Sequence, residues 1–159
     1  MATAPKETKM HQSSPLDLKG YFIEEFSLKM IGTFDKGKSS DPFVGIGREH
    51  LVNARSEFFH FMRMEITVRP RRPNTFPYSI KLKISGGFVI EESFYQRDKG
   101  WSAEINGSSI LYGAAREYIF AATAHCPHGP FLLPTVSFLP SIKKDDAEAV
   151  ASSPPDCEI

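Results

Sequence analysis

Between Tyr21 and Phe34, large apolar residues return at alternate positions: Phe22, Phe26, Leu28, Met30 and Phe34 share one parity, broken only by Glu24. Glu25, Ser27, Lys29 and Thr33 hold the other. A period of two sends successive side chains to opposite faces, so the stretch predicts a half-buried strand. The alternation is clearest over Phe58–Val68. There Phe58, Met62, Met64, Ile66 and Val68 share a face with His60, while Arg63, Glu65, Thr67 and Arg69 take the other with Phe59 and Phe61. It returns over Tyr78–Ser85, with Tyr78, Ile80, Leu82 and Ile84 set against Ser79, Lys81, Lys83 and Ser85. Gly86 and Gly87 are expected to break or bulge that strand before Phe88-Val89-Ile90 resumes it. Phe43–Val52 is a fainter strand, interrupted by Gly45 and Gly47. A polar turn, Asp35–Asp41, and the loop Arg69-Pro70-Arg71-Arg72-Pro73-Asn74 separate the strands. Short connections favour an antiparallel sheet with one apolar and one mixed face.

The pattern then changes period. A long connection, Glu91–Gly107, carries Phe94, Tyr95 and Trp101. Ser108 or Ser109 supplies an N-cap for a helix running through Ala122. Gly113, Ala114, Ala115, Ala121, Ala122 and Ala124 give that helix small residues that allow another backbone to approach closely. Cys126-Pro127-His128-Gly129-Pro130 ends it, and Phe131–Phe138 follows as an extended apolar segment. The expected class is α+β: a four-stranded antiparallel sheet with one long helix after a long crossover. Residues 1–16 and 143–159 are rich in Ser, Pro, Lys, Asp and Glu and read as disordered tails around a domain spanning 17–142.

Composition narrows the function. Lys plus Arg and Asp plus Glu both number 19, so there is no basic excess to suggest a nucleic-acid partner. Two cysteines, Cys126 and Cys157, make no disulfide framework. The stretch Met1–Pro15 carries Lys6, Glu7, Lys9 and His11 without an apolar core, unlike a signal peptide, and no apolar run is long enough for a membrane span. A cytoplasmic protein without membrane insertion is expected. Thirteen Phe against a single Trp is a high count, fit either to fill a core or to line a surface that holds other apolar chains.

Candidate chemistry is sparse. No nucleophile elbow, phosphate loop, dinucleotide fingerprint or zinc-protease motif occurs, so no enzyme is expected. Glu24 and Glu25, adjacent on a strand, are expected on opposite faces and unable to form a carboxylate dyad. His125, Cys126 and His128 are good metal ligands but lack a second cluster, and a histidine favoured by the helix C-terminus is the better reading. Arg69, Arg71 and Arg72 read as a solvated hairpin loop. Neither metal nor cofactor is expected.

Ile110-Leu111-Tyr112, then Ala115-Arg116-Glu117 and Ile119, resembles the helix motif of SecB-type protein-export chaperones. Leu133, Val136 and Phe138 match that family's apolar segment, with Ser137 where Asn is usual, and Gly87-Phe88-Val89-Ile90 lies near its last-strand motif. The resemblance covers roughly Tyr21–Phe138 and is specific only in the helix block. It implies an ATP-independent chaperone that keeps unfolded precursor polypeptides translocation-competent in an exposed apolar groove. Phe59, Phe61, Trp101, Phe131, Leu132 and Leu133 are the candidates for that groove. It also implies a homotetramer, a dimer of dimers, with Ala114, Ala121 and Ala122 in the packing seam, and the SecA motor as a further partner. The departures are Gly113 where Pro is usual, a neutral rather than acidic chain, and Met30, Phe34 and Lys81 near positions where acidic residues receive SecA. The family's long C-terminal helix is missing or reduced to Leu139-Pro140-Ser141-Ile142. These departures leave an alternative: a dedicated partner-binding module, for example for an antitoxin, with no general export role.

Overall fold

In the computed structural model, which describes residues 14–139, four strands form one antiparallel sheet. They are β1 (Leu16–Met30), β2 (Phe43–Asn53), β3 (Ser56–Arg69) and β4 (Tyr78–Ile90), side by side in the order β1-β4-β3-β2. The expected tails at 1–16 and 143–159 fall outside the described residues, apart from Ser14, Pro15 and Leu16. Leu16 is the first residue of β1 and is buried.

Hairpins join β2 to β3 and β3 to β4, but β1 pairs with β4 and not with its sequence neighbour. The chain leaving β1 must therefore cross the end of the sheet to reach β2, and there it meets the β3–β4 loop. Backbone N–H groups of Ile31, Asp35 and Ser40 donate to the carbonyls of Pro77, Asn74 and Thr75 at 2.8, 3.0 and 3.0 Å. Two loops far apart in sequence are thus stitched into one rim.

The alternation in β3 and β4 is as expected. Met62, Met64, Ile66 and Val68 and, from β4, Tyr78, Ile80, Leu82, Ile84, Phe88 and Ile90 are all buried on one face. In β1 the alternation fails. Register shifts between Leu18 and Gly20 and between Ile23 and Glu25 each insert an extra residue and reverse the parity. Phe22, expected beside Phe26 and Leu28, instead lies opposite Ser85 on the other face and is 55% exposed, while Ile23 lies opposite Ile84. The same bulge corrects the expectation for Glu24 and Glu25, whose carboxylates share one face of the sheet. The strand also ends at Met30, and Phe34 packs its ring on His128 at 5.1 Å.

Gly86 and Gly87 do not break β4, which runs unbroken to Ile90. Gly86 is there for space: a Cβ on it would come within 2.9 Å of Leu111 Cδ2. The expected long crossover is itself helical, α1 (Glu92–Asp98) followed by α2 (Trp101–Ala124). The joint between them is Lys99-Gly100, both left-handed with φ of 54° and 87°. The Ser108 or Ser109 cap is therefore corrected: Ser108 is buried within α2, and the Ser109 hydroxyl donates back to the Ile105 carbonyl at 2.9 Å.

Helix α2 buries Ala103, Gly107, Leu111, Ala115, Ile119 and Thr123, spaced by four, with Ser108 and Tyr112 alongside. This row lies on the apolar face of the sheet, and Leu111 and Ile119 are fully covered. Burial of each stabilises the fold by about 1.5–3 kcal/mol. Small residues in the row set the helix close to the sheet: a Cβ on Gly107 would stand 2.5 Å from Met62 Sδ. Among the described residues, no helix is long and apolar enough to cross a membrane.

Candidate functional site

After α2 the chain reverses and runs back beside the helix, extended but paired with no strand among the described residues. Side chains hold it instead. The Tyr78 hydroxyl donates to the Gly129 carbonyl at 2.6 Å, and the Phe131 N–H donates to Thr123 Oγ1 at 2.8 Å. Arg116 Nε donates to the Leu133 carbonyl at 2.7 Å, and the Tyr112 hydroxyl to the Pro134 carbonyl at 2.6 Å. Burial raises the pKa of both tyrosines, so they remain protonated donors at neutral pH.

The side chains of the segment divide between the core and the surface. Phe131 packs edge-on against Phe76 at 4.9 Å, Leu133 is fully buried, and Phe138 meets Tyr112 at 5.7 Å beneath the Arg48 guanidinium. Leu132, by contrast, is 53% exposed.

Between this segment and edge strand β2 lies a groove of about 480 Å³. One wall is Pro42, Val44 and Ile46; the other is Phe131, Leu132, Pro134 and Val136; Asp41 and Arg71 stand at one end. On its other side Leu132 borders a shallower depression of about 380 Å³, formed with Gly113, Arg116, Glu117 and Phe120 of α2. An apolar trough beside a sheet edge offers two things to an extended chain: pockets for side chains, and the unpaired backbone groups of the edge strand.

No protein-family model matches the chain, and no curated protein sequence matches it. A solved structure does. The chain superposes on the Mycobacterium tuberculosis Rv1957 SecB-like chaperone, solved in complex with a ChAD peptide from the Rv1956 HigA1 antitoxin. The TM-score is 0.59 with 13% identity, covering 77% of this chain and 91% of that one. The chain has the SecB-like fold. A protein of unknown function from Streptococcus agalactiae superposes with a TM-score of 0.46 and 11% identity, covering 76% of this chain and 97% of that one.

The SecB-like fold does not gather the sequence-predicted groove residues into one place. Phe131 and Leu132 line the groove. Leu133, next to them, is core and out of reach of a bound chain. Trp101 is half exposed at the start of α2, in a separate depression with Ile105 and Phe138. Phe59 and Phe61 lie on the sheet face that α2 does not cover, half-buried beside exposed Phe22, whose ring centroid is 6.4 Å from that of Phe61. Of the predicted seam, Ala121 is exposed and Ala114 and Ala122 are half-buried on α2, whose solvent side also carries Ile110, Tyr118 and Phe120.

The rest of the uncovered face is a lattice of paired charges. Arg63 bridges Glu24 and Glu49 at 2.9 and 3.0 Å, and Lys83 and Lys81 reach Glu25 at 3.2 and 3.3 Å. The Ser85 hydroxyl and Arg63 hold the Glu24 carboxyl below its ordinary range, and Lys83 and Lys81 do the same for Glu25. Both are ionised partners of cations and not an acid–base pair. Lys81 belongs to this lattice, whereas Met30 is exposed at the end of β1.

One polar cluster escaped the sequence reading. His60, marked there only as a face-mate of β3's apolar residues, is fully buried. Its Nε2 is 3.0 Å from the Glu57 carbonyl, which can only accept, so Nε2 carries the proton and Nδ1 is bare. His50 Nε2–H therefore donates to His60 Nδ1 at 2.7 Å, and His50 Nδ1 faces the Glu104 carboxylate at 3.7 Å. Burial, then the neighbouring His50, holds the His60 pKa below its ordinary value. The pair joins β2 and β3 to the first turn of α2. Cross-strand pairing of β2 with β3 sets His50 opposite Met62 and places it one step from His60, a juxtaposition visible only once the register is known.

Near the other end of α2, Cys126 is half-buried and His128 packs on Phe34 and Tyr78. Among the described residues, no three His, Cys, Asp or Glu side chains converge on a point where a metal would bind.

Proposed function

We propose that this chain is an ATP-independent chaperone that holds an extended, unfolded segment of one dedicated partner, such as an antitoxin, in the groove beside β2. The observation that carries the reading is the groove itself, with apolar walls, Leu132 standing half exposed over it, and an edge strand along its length. The SecB-like fold supports it, as does the antitoxin-derived peptide bound by the M. tuberculosis protein of that fold.

The energetics are adequate. Burying one Leu- or Phe-sized side chain contributes about 1.5–3 kcal/mol. Several such anchors, less the cost of ordering the client and of association, leave roughly micromolar affinity. Folded proteins hide such anchors, so selectivity for unfolded segments follows from exposure. Binding the unfolded form withdraws it from misfolding by mass action and requires no nucleotide.

A dedicated partner is preferred over general export because the uncovered sheet face is internally neutralised. Its carboxylates already hold cations of their own, which leaves little net negative charge to receive a SecA-like motor. The patch of Phe22, Phe59 and Phe61, with Trp101 at the helix start, would extend contact along longer clients. Ala114, Ala121 and Ala122 would seat a second copy against α2, in a dimer of dimers acting in the cytoplasm.

The test uses the full chain and a reduced, alkylated and permanently unfolded protein, with the native form as control, followed by light scattering. Suppressed aggregation of the unfolded protein, or capture of one genomic neighbour alone, supports polypeptide holding; the second outcome selects the dedicated module. Failure to bind any extended apolar polypeptide at micromolar concentration sinks the reading. Light scattering of the free chain gives a mass of four protomers if the α2 seam is used.

A further inference from the structure

The groove opens at one end onto a cleft of different character. Lys38, Ser40, Asp41, Arg71, Arg72 and Thr75 line about 500 Å³ between the two stitched loops, and Asp41 and Arg71 belong to both spaces. Three side chains of this lining are cationic and one is a carboxylate. Arg71 Nε donates to the Pro42 carbonyl at 3.3 Å, which fixes its guanidinium at the junction. Among the described residues neither Arg71 nor Arg72 forms an ion pair, whereas the cations of the uncovered sheet face, Arg63, Lys81 and Lys83, all do. Lys38 reaches Asp35 at 3.9 Å. In a chain with equal numbers of both charges, two unpaired guanidiniums beside an apolar trough are a local excess.

We infer that the groove is bipolar and selects client segments in which an apolar run is flanked by acidic side chains. This rests on the groove reading above and adds to it the chemistry of the client. Apolar side chains seat between Val44, Ile46 and Leu132, and Asp or Glu residues next along the client meet Arg71 and Arg72. An extended strand advances ~3.3 Å per residue, so the span from Ile46 to Pro42 is about 13 Å. The acidic residues therefore lie roughly four or five positions from the far apolar anchor. The backbone of the rim is fixed before a client arrives: the Ser40–Thr75 and Asp35–Asn74 bonds, with the Thr75 hydroxyl donating to the Arg72 carbonyl at 2.9 Å, anchor the loop that carries Arg71 and Arg72. A nucleic-acid phosphate is disfavoured by the apolar continuation of the site.

The experiment titrates the full chain into fluorescent peptides that share one apolar core and are blocked at both ends. Their flanks are Asp-Glu, Asn-Gln or Lys-Lys, and a fourth peptide has the Asn-Gln flank with a free C-terminal carboxylate. Exposed ion pairs are worth little singly, so two should give the acidic flank a roughly five- to tenfold advantage over the neutral one at low salt. The advantage should fade as ionic strength shortens the screening length to about 3 Å near 1 M. Arg71→Gln with Arg72→Gln should remove that advantage, weakening the Asp-Glu peptide roughly five- to tenfold more than the Asn-Gln peptide. Equal binding of all flanks, tighter binding of the Lys-Lys peptide, or equal weakening of every peptide by the double variant overturns the inference but leaves the groove reading intact. A free carboxylate that matches Asp-Glu overturns it in favour of terminus recognition. Binding of none of the peptides overturns both.

Discussion

Leu132 and Leu133 are neighbours on one extended segment, yet truncating each to alanine should separate client binding from stability. Leu133 is fully buried with its carbonyl held by Arg116. Removing its isopropyl group leaves a cavity in a packed site, at a cost of about 2–5 kcal/mol. For a domain of this size that lowers the melting temperature by roughly 5–20 °C. Leu132 is 53% exposed, so Leu132→Ala should change stability by no more than about 0.5 kcal/mol.

Binding should respond the other way. At about 0.8 kcal/mol per buried carbon, the lost group would be worth ~2.4 kcal/mol to a client that covered it completely. The free protein already covers nearly half of Leu132, so a client can add only about 1.3 kcal/mol, or roughly eightfold in Kd. Circular-dichroism melts and anisotropy titrations with a labelled apolar peptide measure the two effects independently. Leu132→Ala should melt within about 2 °C of wild type and bind roughly eightfold more weakly. Leu133→Ala, assayed well below its own midpoint, should bind within about twofold of wild type, since no client reaches that side chain. Unaltered binding by Leu132→Ala would place the client elsewhere. Loss of binding in step with loss of stability in both variants would reduce the segment to a structural strap.

The remaining expectations concern how the scaffold holds that segment. Folding depresses the His60 pKa, so the unfolded chain takes up the proton first; stability is complete above about pH 6.5 and falls as the pH drops through 6.5 toward the lower folded value. Melts between pH 5.0 and 7.5, chosen above the range where Glu24 and Glu25 titrate, should show that decline in wild type and a flatter profile in His60→Gln. Tyr112→Phe strips the Pro134 carbonyl of its donor at a cost of about 1 kcal/mol, and hydrogen exchange or limited proteolysis should show opening at residues 131–136 before the sheet. Gly100→Ala forces a Cβ to within 2.7 Å of His60 Cε1 at a φ of 87°; the conformation alone costs about 1–2 kcal/mol, so urea unfolding should register a loss of at least about 2 kcal/mol.

Where each face of a strand had a single neighbour, the sequence was a reliable guide to the fold. In β3 and β4 one side meets α2 and the other meets none, so Met62 to Val68 and Tyr78 to Ile84 alternate without exception. The bulge at Glu24 is a different matter. A side chain that bonds Ser85 and Arg63 across the sheet is stabilised by partners 61 and 39 residues away, and nothing local announces it. The start of α2 failed for a related reason. Gly107 reads as a break by propensity, yet the helix needs it there because Met62 occupies the space a side chain would take. Glycines at close approaches look like glycines in turns until the opposing surface is known.

The candidate site divides along the same line. That Phe131-Leu132-Leu133 would hold apolar contacts was readable, but which of them faces inward was not, because an extended segment without strand partners takes its orientation from whatever pins it. Here the pins are Thr123, Arg116 and Tyr112, all on α2, and their spacing of seven and four residues runs down one side of the helix. The helix motif that prompted the SecB-type resemblance therefore has a physical role in this chain: Tyr112 and Arg116 fix the segment that forms one wall of the groove. A surface with Leu132 exposed and Leu133 buried is then a consequence of two side-chain hydrogen bonds to consecutive carbonyls, and the wall of the groove is set by the helix.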